Sequence, residues 1–405
     1  VNSGELNNIT HLNSTSHYQL TKTIFISTGE ISGNIHGSKL AEKILEKAPF
    51  VKISGFGSIE MEQKGVTIFR DISKYSGVGL TENIPAFLKS FEILSFVKNQ
   101  FSQNKPDLVL LIDNQGLNIQ IAKIAKKHKI PVIYYIAPQE WIWGVKKGVI
   151  RVLNNTDKII TIFRKEFNFY QDFILQKANS NYSINKIEYV GHPLLDYLNK
   201  ESKEKIKREI NIPENIPVIA LMAGSRKNEI DNLLPIFLET MELLKKKNLN
   251  YHFILICNEV WKEYITNIVQ DKVTIYSKNS TYYMQACDVI LAASGTVTLE
   301  AVILDVPIIS CYKLSGISYQ IAKLLVKIKY FSIPNIVASK KVIPEFLQDK
   351  VNPIVLSNEL IKLISDKKLR NELLVEFDKI RNELSPYGAI NKTAKIILDY
   401  LVEKT

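Results

Sequence analysis

Short apolar runs alternate with amphipathic stretches along most of this chain, and that alternation admits few architectures. A brief apolar run followed by a stretch with apolar residues every three or four positions is a βα unit. Many such units in series build a parallel, doubly wound sheet. From Thr23 the pattern reads strand 23–28, helix 33–47, strands 51–54 and 66–69, helix 84–103, strand 107–112, helix 117–128, and strands 131–136, 158–162 and 187–190. A charged stretch at Lys200–Lys207 and a Pro213–Pro217 bracket then mark an interdomain linker. The pattern resumes with strand 217–222, helix 229–247, strand 252–257, helix 259–269, strand 273–276, helix 280–286, strand 288–292, helix 295–304, strand 306–310 and helix 315–328. Residues 357–404 read as two or three helices with no strand among them. A chain of 405 residues suits two domains better than one core. The divisions expected are a disordered lead-in at 1–20, domains at 21–200 and 201–365, and terminal helices at 366–405.

Three Gly/Ser clusters sit where a strand should give way to a helix: Gly29–Asn34, Ala223–Glu229 and Ser294–Glu300. In an open α/β sheet this is where ligands collect, because unpaired backbone N–H groups and the helix dipole favour an anion there. In Gly224-Ser225-Arg226 the glycine allows close backbone approach and the guanidinium can clamp phosphate oxygens in bidentate fashion. Ser294-Gly295-Thr296 offers a second set of donors, with the Glu300 carboxylate further along the helix suited to sugar hydroxyls. Either cluster alone is more simply a tight turn with a Ser/Thr cap. Two in βα turns of one domain favour a diphosphate site.

Asp113 ends the apolar run Leu108–Ile112, an address for a general base, although a helix cap has the same address. Glu30 holds the equivalent position after the first strand. His192, in Val190-Gly191-His192-Pro193, is more simply a satisfied structural residue than a catalyst, and the six histidines show no metal spacing. The indoles of Trp141 and Trp143 suit either core packing or an acceptor wall. Over 84–101, Phe87, Phe91, Leu94, Val97 and Phe101 recur at helical steps, a pattern that by itself favours an ordinary core helix.

Composition narrows the setting. Cys257, Cys287 and Cys311 are widely spaced and form no C-x-x-C pair, which argues for a reducing compartment and against a disulfide framework. No apolar stretch approaches the roughly 20 residues needed to span a bilayer. The net charge of +11 points to an anionic partner or surface. Without an arginine-rich stripe, an RNP-type motif or zinc-finger spacing, nucleic acid is not expected.

An ordered set of motifs resembles the lipid-A-disaccharide synthase family from about Ile24 to about Gln348. They are Gly29–Asn34, Gly77-Val78-Gly79-Leu80-Thr81-Glu82, Ile112–Asn118, Pro138–Trp143, Val190–Pro193, Gly224–Arg226 with Glu229, Ser294–Thr296 with Glu300, and Ile333–Ala338 continuing into Pro344–Gln348. The last set is the most specific. The resemblance implies a GT-B fold, with two Rossmann-like domains of parallel sheets facing a cleft and C-terminal helices returning to the N-terminal domain. It implies an inverting glycosyltransferase that joins UDP-2,3-diacylglucosamine to 2,3-diacylglucosamine 1-phosphate, with no cofactor and no metal. Asp113 would be the base, Arg226 would stabilise the departing UDP, and Glu30 would complete the catalytic set. Ser32, Gly33, Asn118, Gln139, His192, Gly224, Ser225, Glu229, Ser294, Gly295, Thr296, Glu300, Asn335, Glu345 and Gln348 would contact substrates.

The same resemblance implies peripheral contact with inner-membrane lipid from the cytosolic side through Phe87, Leu88, Phe91 and Leu94, and leaves a homodimer open. The chain departs from the family pattern at Gly116, where a second acid is common, at Asn34 and Ala223, and at Gly144, where a basic residue is common. The last departure turns attention to Lys146 and Lys147 for the acceptor phosphate. A UDP-sugar epimerase or hydrolase on the same fold, or an inactive UDP-sugar-binding protein at the membrane, stay open on the residues alone.

Overall fold

A computed structural model describes residues 21–72, 83–144, 146–176, 182–313 and 329–403, the side chains of Ile31, 83–89 and Trp143 excepted. The motif 77–82 and the helix expected at 315–328 lie outside the described residues, as do the side chains of Phe87 and Leu88.

The first domain runs β1 (Thr23–Thr28), α1 (Ile31–Lys47), β2 (Lys52–Phe56), α2 (Ile59–Glu62), β3 (Thr67–Arg70), α3 (Asn83–Gln103), β4 (Leu108–Ile112), α4 (Gln115–Lys127), β5 (Val132–Tyr135), α5 (Glu140–Trp143), α6 (Lys146–Asn155), β6 (Lys158–Thr161), α7 (Arg164–Gln176), β7 (Ile187–Tyr189) and α8 (Leu194–Tyr197). The second runs α9 (Lys203–Glu209), β8 (Val218–Met222), α10 (Lys227–Lys246), β9 (His252–Ile256), α11 (Lys262–Val269), β10 (Thr274–Tyr276), α12 (Ser280–Met284), β11 (Val289–Ala293), α13 (Thr296–Ile303), β12 (Ile308–Tyr312), α14 (Ile333–Ala338), β13 (Glu345–Leu347) and α15 (Pro353–Ser365). Helices α16 (Lys367–Leu384) and α17 (Ala389–Glu403) follow.

Each domain holds one parallel sheet, ordered β3-β2-β1-β4-β5-β6-β7 in the first and β10-β9-β8-β11-β12-β13 in the second. Strands buried on both faces need no polar alternation, which is why Leu108–Ile112 and Val289–Ala293 are continuous apolar runs, buried throughout. The side chains still part by the strand's period of two. Ile24 and Ile26 join Leu108, Leu110 and Ile112 on one face, while Phe25, Val109 and Leu111 pack on the other. On that second face Phe25 meets Phe56 and Phe101 edge-on, at 5.4 and 5.0 Å between centroids.

The strand order reverses between β1 and β4 in one sheet and between β8 and β11 in the other. Crevices open at the carboxyl ends of strands flanking such a reversal. Glu30 and Asp113 follow β1 and β4, and the clusters at 224–226 and 294–296 follow β8 and β11.

Two expectations change. The charged stretch at Lys200–Lys207 is not a free linker, because most of it is α9, docked on the second domain. Its buried Lys207 donates to the carbonyls of Glu214 and Ile216 at 3.0 and 2.7 Å. The terminal helices also divide their work, with α16 packing on α13, α14 and α15 and α17 returning to α1 and α8. The crossing passes over Gly191, whose φ of 91° and position beside the Pro386 carbonyl leave no room for a Cβ. Asp196 then accepts from the N–H groups of Gly388 and Ile390 at 2.6 and 2.8 Å, capping α17. Much of the Gly191-His192-Pro193 signal thus serves a chain crossing.

Candidate active site

The carboxylate after β4 is held by an unusual turn. Asp113 and Asn114 both take left-handed backbone conformations, φ 54° and 45°, which Asp and Asn tolerate best among residues with a Cβ. The turn is fixed from below. The Tyr134 hydroxyl and the Asn118 amide each donate to the Asp113 carbonyl at 2.8 Å. Asn118 also donates to the Ile112 carbonyl at 3.1 Å and accepts from the Ser27 hydroxyl at 2.7 Å. A Cβ on Gly29 would fall 1.6 Å from the Asn114 amide nitrogen, so the first Gly/Ser cluster seats the Asp113 turn. Gly33 is buried in the first turn of α1, where a Cβ would lie 3.7 Å from that of Asp113, and Ser32 beside it is half-buried.

The Asp113 carboxyl is pushed up to about 7, first by burial and then by the negative charge of Glu30, against the opposing Asn114 N–H and the Arg226 charge. Such a group can take up a proton near neutrality. Glu30 and Arg226 bridge the two domains with a 2.9 Å ion pair. Arg226 also meets its own helix partner Glu229 at 3.2 Å.

Glu229 corrects one expectation. Its carboxylate accepts from the Ser225 and Arg226 N–H groups at 2.9 and 3.3 Å, so this part of the expected diphosphate cradle is filled from within. It acts as the third residue of a capping box at the start of α10. The Gly224 Cβ direction, at φ 124°, points into that same carboxylate. The second cradle is different. At the start of α13, Gly295 has an extended φ of 170° and nothing within 4 Å of a Cβ. The first N–H groups of a helix have no partner within it; here the Thr298 N–H turns back to the Gly295 carbonyl at 3.1 Å, and among the described residues nothing approaches the Gly295 side of the turn. One turn on, Glu300 is half-buried and its carboxyl is raised to about 7 by burial. It has no hydrogen-bond partner among the described residues.

Several other residues expected to contact substrates have partners inside the fold. Asn118 is fully buried in the Asp113 turn. Asn335, equally buried, accepts from the Val342 and Ile343 N–H groups at 2.7 and 2.9 Å and donates to the Ile343 carbonyl at 3.0 Å. Glu345 accepts from the Ser332 N–H and hydroxyl at 3.0 and 2.8 Å, anchoring the entrance of α14. His192 is buried, its Nδ1 accepts from the Leu194 N–H at 3.2 Å, and burial with His36 alongside holds its pKa well below the ordinary range. Gln139 accepts from the Trp141 indole at 3.0 Å, and the Ser294 hydroxyl leans on the Phe331 carbonyl at 3.5 Å. Thr296 opens α13, and Gln348 takes a left-handed φ of 53° after β13.

The stripe on α3 also splits. Ile93, Val97 and Phe101 are buried in the core, while Phe91 is 59% exposed and Leu94 half-buried. Leu94 borders a surface groove of about 500 Å³ lined by Lys123, Ile124, Lys126 and Lys127. Among the described residues no group of His, Cys, Asp and Glu is arranged to hold a metal ion, and no helix is long and apolar enough to cross a membrane.

Two supports were not legible beforehand. Tyr134 lies in an apolar strand and carries no sequence mark of its hydroxyl's task. The Gln115 amide donates to Glu140, tying the Asp113 turn to the loop after β5. No local pattern signals a bond across 25 residues.

Comparison with known proteins agrees over nearly the whole chain. A family model described as lipid-A-disaccharide synthetase matches residues 24–396. The chain is 35% identical over 391 residues to the lipid-A-disaccharide synthase of a Sulfurihydrogenibium species, covering 93% of this chain and 97% of the relative. It is 33% identical over 386 residues to that of Persephonella marina, covering 93% and 98%. Among solved structures it is similar to UDP-GlcNAc 2-epimerase from Neisseria meningitidis bound to UDP-GlcNAc, with TM-score 0.61, 16% identity and coverage of 94% and 99%. It is also similar to the calicheamicin glycosyltransferase CalG4, with TM-score 0.58, 13% identity and coverage of 94% and 98%. At such identities these two likenesses speak for the fold alone.

Proposed function

The chain belongs to the lipid-A-disaccharide synthase family and is a glycosyltransferase acting on UDP-sugar and lipid substrates; on that premise we propose that its donor is UDP-2,3-diacylglucosamine and its acceptor 2,3-diacylglucosamine 1-phosphate. Asp113 accepts the proton of the acceptor 6-hydroxyl as that oxygen attacks the anomeric carbon of the donor. The bond from that carbon to the UDP oxygen breaks on the opposite face, the configuration inverts and UDP leaves. Charge growing on the departing diphosphate is met by Arg226 and by the open N–H groups at the start of α13. Arg226 has five donors, so it can face the diphosphate while keeping a carboxylate partner. Glu300 accepts from the ribose hydroxyls. Every group in this scheme comes from one chain, so the chemistry does not call for a dimer.

The observation that carries the reading is the convergence of a carboxyl, Asp113, at one switch point with the Glu30–Arg226 ion pair that reaches across from the other. Exposed Phe91, on the same helix as Leu94 of the lysine-lined groove, supports peripheral contact with the cytosolic face of the inner membrane. The test is Asp113→Asn, assayed by UDP release with both substrates. Turnover should fall by about 10²–10⁴ with UDP affinity retained. Undiminished turnover would remove Asp113 from the mechanism.

A further inference from the structure

Beyond β9 a tight turn, Glu259–Trp261, brings an indole to the Gly224-Ser225-Arg226 loop. The Trp261 Nε1–H donates to the Ser225 carbonyl at 2.8 Å. That carbonyl and the Arg226 N–H are the two ends of one planar peptide unit. The N–H end donates to the Glu229 carboxylate at 3.3 Å. Side chains from two different elements thus hold the plane at both edges, and it cannot turn without losing a hydrogen bond. Gly224 precedes it at φ 124°, so the loop gains little rigidity from its own backbone. The indole is anchored in its turn. Its ring meets Tyr264 edge-on at 6.0 Å between centroids, and the Tyr264 hydroxyl donates to Asp231 on α10 at 2.6 Å. Lys227 closes the circuit, donating to Asp231 at 2.7 Å and to the Tyr264 hydroxyl at 3.2 Å.

We propose that Trp261 is a positioning residue for the transfer step, fixing through the Ser225 carbonyl the backbone from which Arg226 reaches the diphosphate; the inference rests on the role given to Arg226 above. Arg226 leaves the clamped plane extended, φ −121° and ψ 147°, with its guanidinium 2.9 Å from Glu30 of the other domain and 3.2 Å from Glu229. Over a side chain as long as arginine, a small turn at the backbone is a large displacement at the guanidinium. A donor set that is already in place stabilises the leaving group without reorganising at the moment of reaction. Losing the clamp therefore weakens stabilisation of the transition state and leaves the acceptor side untouched.

Trp261→Phe tests this by keeping a ring against Tyr264 and removing the donor, with UDP release as the assay. At saturating substrates kcat should fall about three- to tenfold, and the acceptor KM should change by less than about twofold. In the Arg226→Lys background, where the guanidinium fork is already gone, the same substitution should cost less than about twofold further. A full-sized loss in both backgrounds, a loss carried by the acceptor KM, or no loss at all overturns the proposal. Benzothienylalanine at position 261, which has the ring shape of tryptophan without the N–H, should reproduce the loss, and it carries the test alone should Trp261→Phe fail to fold. A wild type without turnover, or Arg226→Lys with undiminished turnover, would sink the parent reading instead, and either is seen with Trp261 intact.

Discussion

Glu30 and Arg226 stand 196 residues apart in the chain and 2.9 Å apart in space. Each belongs to a different sheet's switch point, so their ion pair is a direct link between the two walls of the cleft. Both side chains are about one third exposed, 31% and 35%. A pair that wet contributes at most about 1 kcal/mol, which makes it a latch that a diphosphate can compete with. Its larger effect is electrostatic, on Asp113.

Replacing Glu30 with Gln should move the acid limb of the kcat/KM profile to lower pH. Burial and the Glu30 charge together raise the Asp113 carboxyl to about 7. Removing that charge lowers it, so the base form is populated at lower pH. A limb that stays in place, or moves up, would contradict the assignment of Asp113 as the group that titrates in catalysis.

Two glycines should respond in opposite ways to alanine. At Gly295 the backbone is extended and the Cβ direction is empty among the described residues, so Gly295→Ala should leave stability within about 0.5 kcal/mol while weakening UDP binding, read by calorimetry. Gly29→Ala should instead displace Asn114 and with it the Asp113 turn. We expect a stability loss of about 1–3 kcal/mol and a lowered kcat. Equal UDP affinity in Gly295→Ala and wild type would argue against the start of α13 as the diphosphate site.

Glu166 is a fully buried carboxyl, raised to about 8 chiefly by burial, with its Oε1 unpartnered among the described residues. Its folded-state pKa lies above its unfolded one, so its contribution is fully present below the ordinary glutamate range. That contribution is lost as pH climbs through about 8. Glu166→Gln should therefore be more stable than the wild type at alkaline pH, by a few kcal/mol in order of magnitude. The advantage should shrink on acidification, as followed by thermal melts across pH. A stability difference independent of pH would show that the carboxyl does not titrate in this window.

The strands were legible because parallel strands buried on both faces must be apolar end to end, and β4, β8 and β11 fall within one residue of where the pattern puts them. Helices α6 and α7 were missed. Phe167-Asn168-Phe169 alternates like a strand, and α6 is interrupted near its start by Gly148. The short β13 was missed too, since three half-buried residues after a proline give no periodicity. Position was legible as far as topology dictates it, which puts Asp113, Glu30 and Arg226 just past strand ends and Glu300 one turn into the helix after β11. What a polar side chain does after leaving the backbone was not. Glu229, Asn118 and Asn335 have the residue types of ligand contacts, yet most of their hydrogen bonds go to main-chain groups of turns, and those geometries exist only once the sheets have formed.

The return of α17 onto α1 bears on the order in which the molecule is made. Buried Ile390, Ala394, Ile397 and Leu401 come from a helix translated after the entire second domain, and they cover α1, whose first turn carries Gly33 beside Asp113. On the ribosome the first domain therefore emerges with one wall missing and is completed only when α17 arrives. The turn that carries Asp113 is synthesised long before the helix that completes its wall.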